Sequence, residues 1–262
     1  MQISLNPANL QDWNGTALIL GLVEGDLEGQ LIQLEKLIEC SILDKLNQEK
    51  FTAKKGQSIV LNLLKGNIEK LIILGLGKPQ NLLLNDLRIA AANGAKKSLG
   101  NEGVLGVFFP WHPFNLESAA KAVAEAIRLS LFKDLRFKSK TDARPRPNKI
   151  ELLGLPELQE IRIDEINPIC SGVELARELV GAPPNLLTPS ELANTALRLS
   201  EDHGLELKIL QKEDCEERQM GAYLAVSKGS DLEPKFIHLT YKPKEQIKES
   251  LALVGKGLTF DS

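Results

Sequence analysis

A lysine and an aspartate close to the end of the sequence have the types and spacing that could bind metal. They are Lys256 and Asp261 in VGKGLTFDS, residues 254–262. The apolar run 251–255 that leads into them predicts a central parallel strand. In open α/β sheets ligands bind beyond the carboxyl ends of strands, which is where both side chains fall. A carboxylate can bridge two dications, and a lysine amine can bind one after losing its proton. The alternative is a strand-end turn with a solvated lysine and a helix-capping aspartate.

Two other motifs, both of nucleotide binding, are incomplete in this sequence. Gly75 and Gly77 begin a dinucleotide-binding pattern, but Gln80 occupies the position of its third glycine. Gly255 and Lys256 resemble the end of a phosphate-binding loop, but Ser250 stands where the loop's first glycine is required. The three histidines are scattered along the chain, which argues against a histidine-rich metal site.

A basic stretch, KDLRFKSKTDARPRPNK, occupies residues 133–149 and contains seven basic and two acidic side chains. Pro145 and Pro147 disfavour a helix through its end. The simplest interpretation is an exposed, solvated joint between two domains. A patch for nucleic-acid phosphates is the alternative, although Phe137 is the only aromatic residue of the stretch on which a base could stack.

Composition restricts the class of protein. The 262 residues carry a net charge of −3, with 43% hydrophobic and 26% charged residues, as in ordinary globular proteins. This charge weighs against a dedicated nucleic-acid binder. Three cysteines without a CxxC pair favour reduced thiols. The sequence begins without a signal-peptide pattern, and no apolar run reaches the roughly 18 residues that span a bilayer. We therefore expect a soluble, cytoplasmic protein.

The elements that would position these residues form two α/β units. In the first half, short apolar runs predict strands at 17–23, 58–63, 70–76 and 103–109, alternating with helical segments near 27–48, 82–98 and 116–132. This alternation indicates a mostly parallel sheet covered on both faces.

The second half has clear helix signals. Asn167 and Pro168 predict the start of a helix that ends near Gly181. Thr188 and Glu191 form a capping box for another helix, which Gly204 ends. Strands are predicted at 205–210, 235–241 and 251–255.

Three stretches of this half resemble the leucyl (cytosol) aminopeptidases, the dimetal aminopeptidases of the M17 type. They are ELARELVGAPPNLLTPSELA (174–193), MGAYLAVSKGSDLEPKFIHLTYKP (220–243) and LALVGKGLTFDS (251–262). The resemblance is strong from about residue 165 onward. In the first half it rests on LIILGLGK (71–78) and LRIAAANGAKK (87–97).

The resemblance implies an α/β protein. An N-terminal, macro-like α/β domain would occupy residues 1–140, a linker 141–164, and the beginning of a larger catalytic α/β domain 165–262, with mostly parallel or mixed sheets. It implies a homohexameric, cytoplasmic enzyme that removes N-terminal residues, often leucine, from peptides. Two divalent ions, Mn²⁺ or Zn²⁺, would share a bridging water. Lys256 would bind one ion and Asp261 would bridge both.

The sequence departs from the family pattern at its end. The family's catalytic lysine and arginine and its remaining metal carboxylates follow the position of Ser262, and none has a counterpart in these residues. We therefore expect an N-terminal fragment that is inactive by itself. The alternative is a non-catalytic nucleic-acid-binding or scaffold module, which salt-dependent DNA binding would distinguish.

Overall fold

The computed structural model describes residues 2–38, 41–63, 68–140, 144–156, 161–244 and 249–259. The chain divides into two compact units, Met1–Arg177 and Glu178–Ser262. The fold is mixed α/β with a mostly parallel sheet, as the sequence predicts. Among the described residues, no helix has both the length and the apolar character needed to cross a membrane.

The first unit is built on a six-stranded sheet with the order β1-β6-β5-β2-β4-β3. Its neighbouring strands are parallel, except that β3 runs antiparallel to β4. The strands are β1 (Gln2–Asn6), β2 (Ala17–Leu22), β3 (Ser58–Asn62), β4 (Lys70–Gly75), β5 (Gly103–Phe108) and β6 (Pro147–Leu153). The helices are α1 (Leu27–Ile38), α2 (Leu43–Gln48), α3 (Leu84–Lys97), α4 (Leu116–Leu131) and α5 (Ile166–Gly181).

Strand β2 explains why both faces of this sheet are covered. All six of its residues are buried, and successive side chains point to opposite faces. Ile19 belongs to the hydrophobic cluster that includes buried residues of α3 and α4, whereas Leu18 and Leu20 belong to the cluster that includes those of α1 and α2. Gly94 lets α3 approach closely, because a Cβ there would lie 2.9 Å from Ile19 Cδ1.

A buried carboxylate connects β1 and β6 to the loop that follows β1. Glu151 Oε2 accepts hydrogen bonds from Trp13 Nε1 and from Asn6 Nδ2, each at 2.9 Å. Lys149 forms an ion pair with the other oxygen of Glu151. Burial raises the pKa of Glu151, but the hydrogen bonds from Lys149, Trp13 and Asn6 outweigh it and lower that pKa below its ordinary value. The carboxylate is therefore a structural anion that satisfies a buried indole N–H.

Within its described residues, the second unit contains one longer helix, two short ones and a two-stranded antiparallel sheet. Its elements are α6 (Pro189–His203), β7 (Glu206–Leu210), α7 (Lys212–Glu217), α8 (Gly221–Ser227) and β8 (Phe236–Thr240). Of the capping box predicted for α6, the Thr188 half is present: Glu191 N donates to Thr188 Oγ1 at 3.2 Å. The Glu191 carboxylate instead accepts from Asn194 Nδ2 and Arg198 Nη2. Gly204 adopts a left-handed φ of 64° at the helix end, as predicted.

The structure corrects several sequence-based expectations in the first unit. The helical segment predicted near 27–48 contains two helices, because Glu35 Oε1 accepts from the backbone amides of Ile42 and Leu43 at 2.6 and 3.1 Å and so satisfies the start of α2. Strands β1 and β6 were not predicted. Strand β6 lies inside the predicted linker 141–164, so that part of the linker belongs to the sheet. The domain boundaries themselves stay a prediction.

The strand predicted at 251–255 is wrong for this structure. Residues 249–258 form neither helix nor strand, and Leu253 and Val254 are 90% and 98% exposed. The physical reason is that a parallel strand requires hydrogen-bonding neighbours and a cover. In the described part of the second unit, β7 and β8 pair only with each other.

Candidate functional site

Lys256 lies in the extended segment after β8, between two glycines. Its side chain is exposed. A Cβ at Gly255 would meet nothing within 4 Å, and one at Gly257 would lie 3.8 Å from Leu192 Cδ1. The backbone around Lys256 therefore leaves space for other groups to approach.

The second candidate ligand, Asp261, lies outside the described residues. The structure therefore places Lys256 and does not test the pairing of the two side chains. Across the described ranges, no group of three or more His, Cys, Asp or Glu side chains is arranged to hold a metal ion. The types of donor atom fit divalent ions, since amine nitrogen and carboxylate oxygen are both metal ligands. The set is too small for a two-metal centre.

The three histidines do not add to this site. His238 lies on β8, is exposed, and contacts Thr240 Oγ1 through Nε2 at 3.4 Å. His203 is the last residue of α6 and is exposed. His112 precedes Pro113 in the loop after β5. Cys170 and Cys215 are buried free thiols, and Cys40 lies outside the described residues.

Glu174, the first residue of the stretch 174–193 that carries the resemblance, has a clear scaffold role. Arg128 on α4 donates from Nε to Glu174 Oε1 at 2.9 Å and from Nη2 to Oε2 at 2.6 Å. Such a bidentate pair fixes both side chains in one plane. The hydrogen bonds to Glu174 come first among the causes that raise the pKa of Arg128. Glu174 thus holds α5 against α4 in the first unit.

Comparison with known proteins decides the family. The model for the N-terminal domain of the cytosol aminopeptidase family matches residues 19–141, and the model for its catalytic domain matches residues 174–262. The chain belongs to the cytosol aminopeptidase family. The catalytic-domain match includes both candidate ligands, Lys256 and Asp261.

Family members in cyanobacteria are similar over the whole chain. A probable cytosol aminopeptidase of Prochlorococcus marinus (strain MIT 9313) is 53% identical over 262 residues, which are 100% of this chain and 54% of the relative. One from Synechococcus sp. (strain CC9605) is 48% identical over 262 residues, which are 100% of this chain and 53% of that relative. The chain thus spans about half the length of the curated aminopeptidases that it matches.

Solved structures agree with this family assignment. A tomato leucine aminopeptidase variant is 29% identical and matches with a TM-score of 0.89, covering 100% of this chain and 55% of the other. The bottromycin maturation enzyme BotP in complex with Mn matches with a TM-score of 0.70 at 22% identity, over 87% of this chain and 46% of its own. The second likeness shows a shared fold.

Proposed function

We propose that this chain is part of a metal-dependent aminopeptidase that releases N-terminal, leucine-like residues from peptides. The observation that carries the proposal is the match of the family's N-terminal and catalytic domain models, in that order, to residues 19–141 and 174–262. The name of the tomato relative supports a leucine-like preference. The family name supports action in the cytosol, with peptides as substrates.

Two residues of this chain would serve the metals. Lys256 would bind one divalent ion through its neutral amine, and Asp261 would bridge two ions, Mn²⁺ or Zn²⁺, through its carboxylate. The open backbone at Gly255 and Gly257 supports this role, since it leaves Lys256 free of steric obstruction. When bound, the two ions would acidify a shared water and polarise the scissile carbonyl. The other ligands of a two-metal centre must come from residues beyond these two.

The 262-residue chain by itself is therefore proposed to be inactive, and the homohexamer to form from the longer protein. The first test is to sequence the gene through the codon for Ser262. An open frame that continues for a few hundred codons would support the proposal. A stop codon directly after Ser262 would remove the two-metal mechanism from this protein.

The second test separates metal binding from catalysis. In the product of the whole reading frame, Mn²⁺ binding is followed by electron paramagnetic resonance and activity by hydrolysis of leucine p-nitroanilide. We expect Lys256→Ala and Asp261→Asn each to weaken Mn²⁺ binding by at least about tenfold, because each removes a direct ligand. Lys228→Ala and Asp231→Asn, at exposed positions of the same unit, are the matched controls.

Equal Mn²⁺ affinity in the ligand variants and the control variants would refute the roles of Lys256 and Asp261. Hydrolysis of leucine p-nitroanilide by the 262-residue chain would refute its inactivity. A titration with duplex DNA at two salt concentrations distinguishes the alternative, a nucleic-acid-binding or scaffold module, since phosphate binding weakens steeply with salt.

A further inference from the structure

The first unit has a basic groove on its surface that the aminopeptidase proposal does not use. The groove has a volume of about 890 Å³. It is lined by residues of α3, by residues from the end of α4 and the segment after it, and by single residues from two later segments. Its cationic lining residues are Arg88, Lys96, Lys133, Arg144 and Arg177. We call this feature the basic groove.

The charge of the basic groove is of one sign. Within the part of the chain that the structure describes, its lining includes the five cations named above and no aspartate or glutamate, although the chain as a whole carries a net charge of −3. Arg88 and Lys96 lie eight residues apart on α3. Neither forms an ion pair with any residue in the described part of the chain. Burial first, and then the charge of Arg144, lower the pKa of Lys70, which donates to the backbone oxygen of the lining residue Leu99.

The floor of the basic groove is apolar. Ile89 on α3 is 53% exposed, and Leu129 and Phe132 of the α4 end also line the groove. Arg177 is held in place above this floor. Its guanidinium lies 5.9 Å from the centroid of the Phe132 ring, and its Nη1 donates to Leu129 O at 2.6 Å. An exposed apolar surface bounded by cations is typical of a binding site.

From this combination we infer that the basic groove binds an acidic segment of a partner protein, one that places an apolar side chain between its carboxylates. The carboxylates would meet Arg88 and Lys96, and the apolar side chain would cover Ile89. Charge complementarity selects an anionic partner. The apolar floor selects a peptide over a nucleic acid, because a phosphate backbone offers nothing to cover Ile89. Phe132 is poorly placed for base stacking, since Arg177 already lies against its ring.

The test measures fluorescence anisotropy of a short fluorescein-labelled peptide of Glu-Glu-Leu repeats, titrated with the product of the whole reading frame at low and high salt. Comparison ligands are Gln-Gln-Leu and Glu-Glu-Ser repeats and a single-stranded DNA oligonucleotide. We expect saturable binding of the Glu-Glu-Leu peptide and weaker binding at high salt. The Gln-Gln-Leu and Glu-Glu-Ser peptides should each bind more weakly.

Two sets of variants locate the binding. Arg88→Ala combined with Lys96→Ala should weaken binding about tenfold, at about threefold for each partly exposed ion pair. Ile89→Ser should weaken it by about threefold or more through lost apolar contact. The control is Lys36→Ala combined with Lys54→Ala, which removes the same charge at exposed positions outside the groove. It should change the affinity less than about twofold, because charges that do not contact the peptide act on it only weakly through solvent.

Several results would overturn the inference. These are no saturable binding of the Glu-Glu-Leu peptide, equal loss in the groove and control double variants, or equal affinity for the Glu-Glu-Ser peptide. Tighter binding of DNA that depends on Arg88 and Lys96 would replace the peptide with a nucleic acid. Tryptophan fluorescence and thermal unfolding check that each variant is folded. If the Arg88 and Lys96 double variant fails to fold, Lys96→Gln alone decides, with an expected loss of about threefold.

Discussion

Replacing Glu151 with leucine should destabilise the first unit substantially, because the carboxylate accepts hydrogen bonds from donors that would otherwise have no partner. Trp13 Nε1 loses its acceptor in Glu151→Leu, and the Trp13 side chain is buried. An unsatisfied buried donor costs about 1–3 kcal/mol. The bond from Asn6 adds up to about 1 kcal/mol, and the partly exposed pair with Lys149 adds less than about 1 kcal/mol after solvent screening. We expect a total loss of about 3 kcal/mol.

Urea unfolding followed by tryptophan fluorescence measures this loss in the correct unit. The chain has two tryptophans, Trp13 and Trp111, and both lie in the first unit. Glu151→Gln keeps one amide oxygen for Trp13 and loses the ion pair, so we expect a smaller loss of about 1 kcal/mol. Glu102→Leu, at an exposed carboxylate, is the matched control and should change the free energy of unfolding by less than about 0.5 kcal/mol.

The pH dependence gives an independent check. Because the pKa of Glu151 is lowered in the folded state, its contribution is fully present above the unfolded carboxyl pKa of about 4.3 and is lost as the pH falls through the lower folded pKa. The stability difference between wild type and Glu151→Gln should therefore be constant near pH 7 and shrink below about pH 4.3. Two results would refute the proposed role of the Glu151 hydrogen bonds. One is a loss of unfolding free energy below about 1 kcal/mol for Glu151→Leu at pH 7. The other is a stability difference between wild type and Glu151→Gln that grows as the pH falls.

Three further predictions use local geometry. Thr188→Ala removes the acceptor for Glu191 N and should destabilise α6 by about 1 kcal/mol, measured by hydrogen exchange of its first turn, with Thr188→Ser as the conservative control. Gly75→Ala should lower the free energy of unfolding by about 2 kcal/mol or more in urea unfolding, because its Cβ would lie 2.2 Å from Lys54 O. Gly172→Ala on α5 is the control: its Cβ would meet nothing within 4 Å, so the change should be neutral or stabilising. Asp134 accepts from Arg136 Nε at 2.8 Å and Nη2 at 2.7 Å, and these hydrogen bonds lower its pKa to about 2; an NMR titration midpoint near 4 would contradict this pairing.

The central strands of the first unit could be predicted from sequence because burial on both faces leaves a continuous apolar run. Strands β2 and β4 have this pattern, and their predicted ranges agree with the structure to within one residue. Strand β1, QISLN, could not be found this way, because it pairs only with β6 at the edge of the sheet and carries polar residues. Strand β6 was hidden by the basic stretch and by Pro147, which is tolerated because it is the first residue of the strand.

The basic groove illustrates what spacing along the chain cannot reveal. Lys133 and Arg144 belong to the stretch that the sequence presents as a solvated joint. Arg88 and Lys96 lie on α3, about forty residues earlier, and the packing of α3 on α4 brings both sets to one surface. The spacing Arg88, Ala92, Lys96 does indicate one face of a helix. It does not indicate which other segments that face meets, since this depends on the sheet order.

The segment 251–255 shows the converse case, in which a local pattern predicts an environment that these residues do not have. A continuous apolar run favours a central strand only where neighbours supply hydrogen bonds on both sides and a cover on both faces. Val254 is 98% exposed here, and β7 and β8 leave it unpaired within the described residues. The apolar pattern therefore describes the side chains of this segment and does not by itself supply the neighbours that a central strand needs. Because Lys256 follows this run directly and is itself exposed, the described residues of the second unit leave both the apolar run and the proposed ligand on the surface.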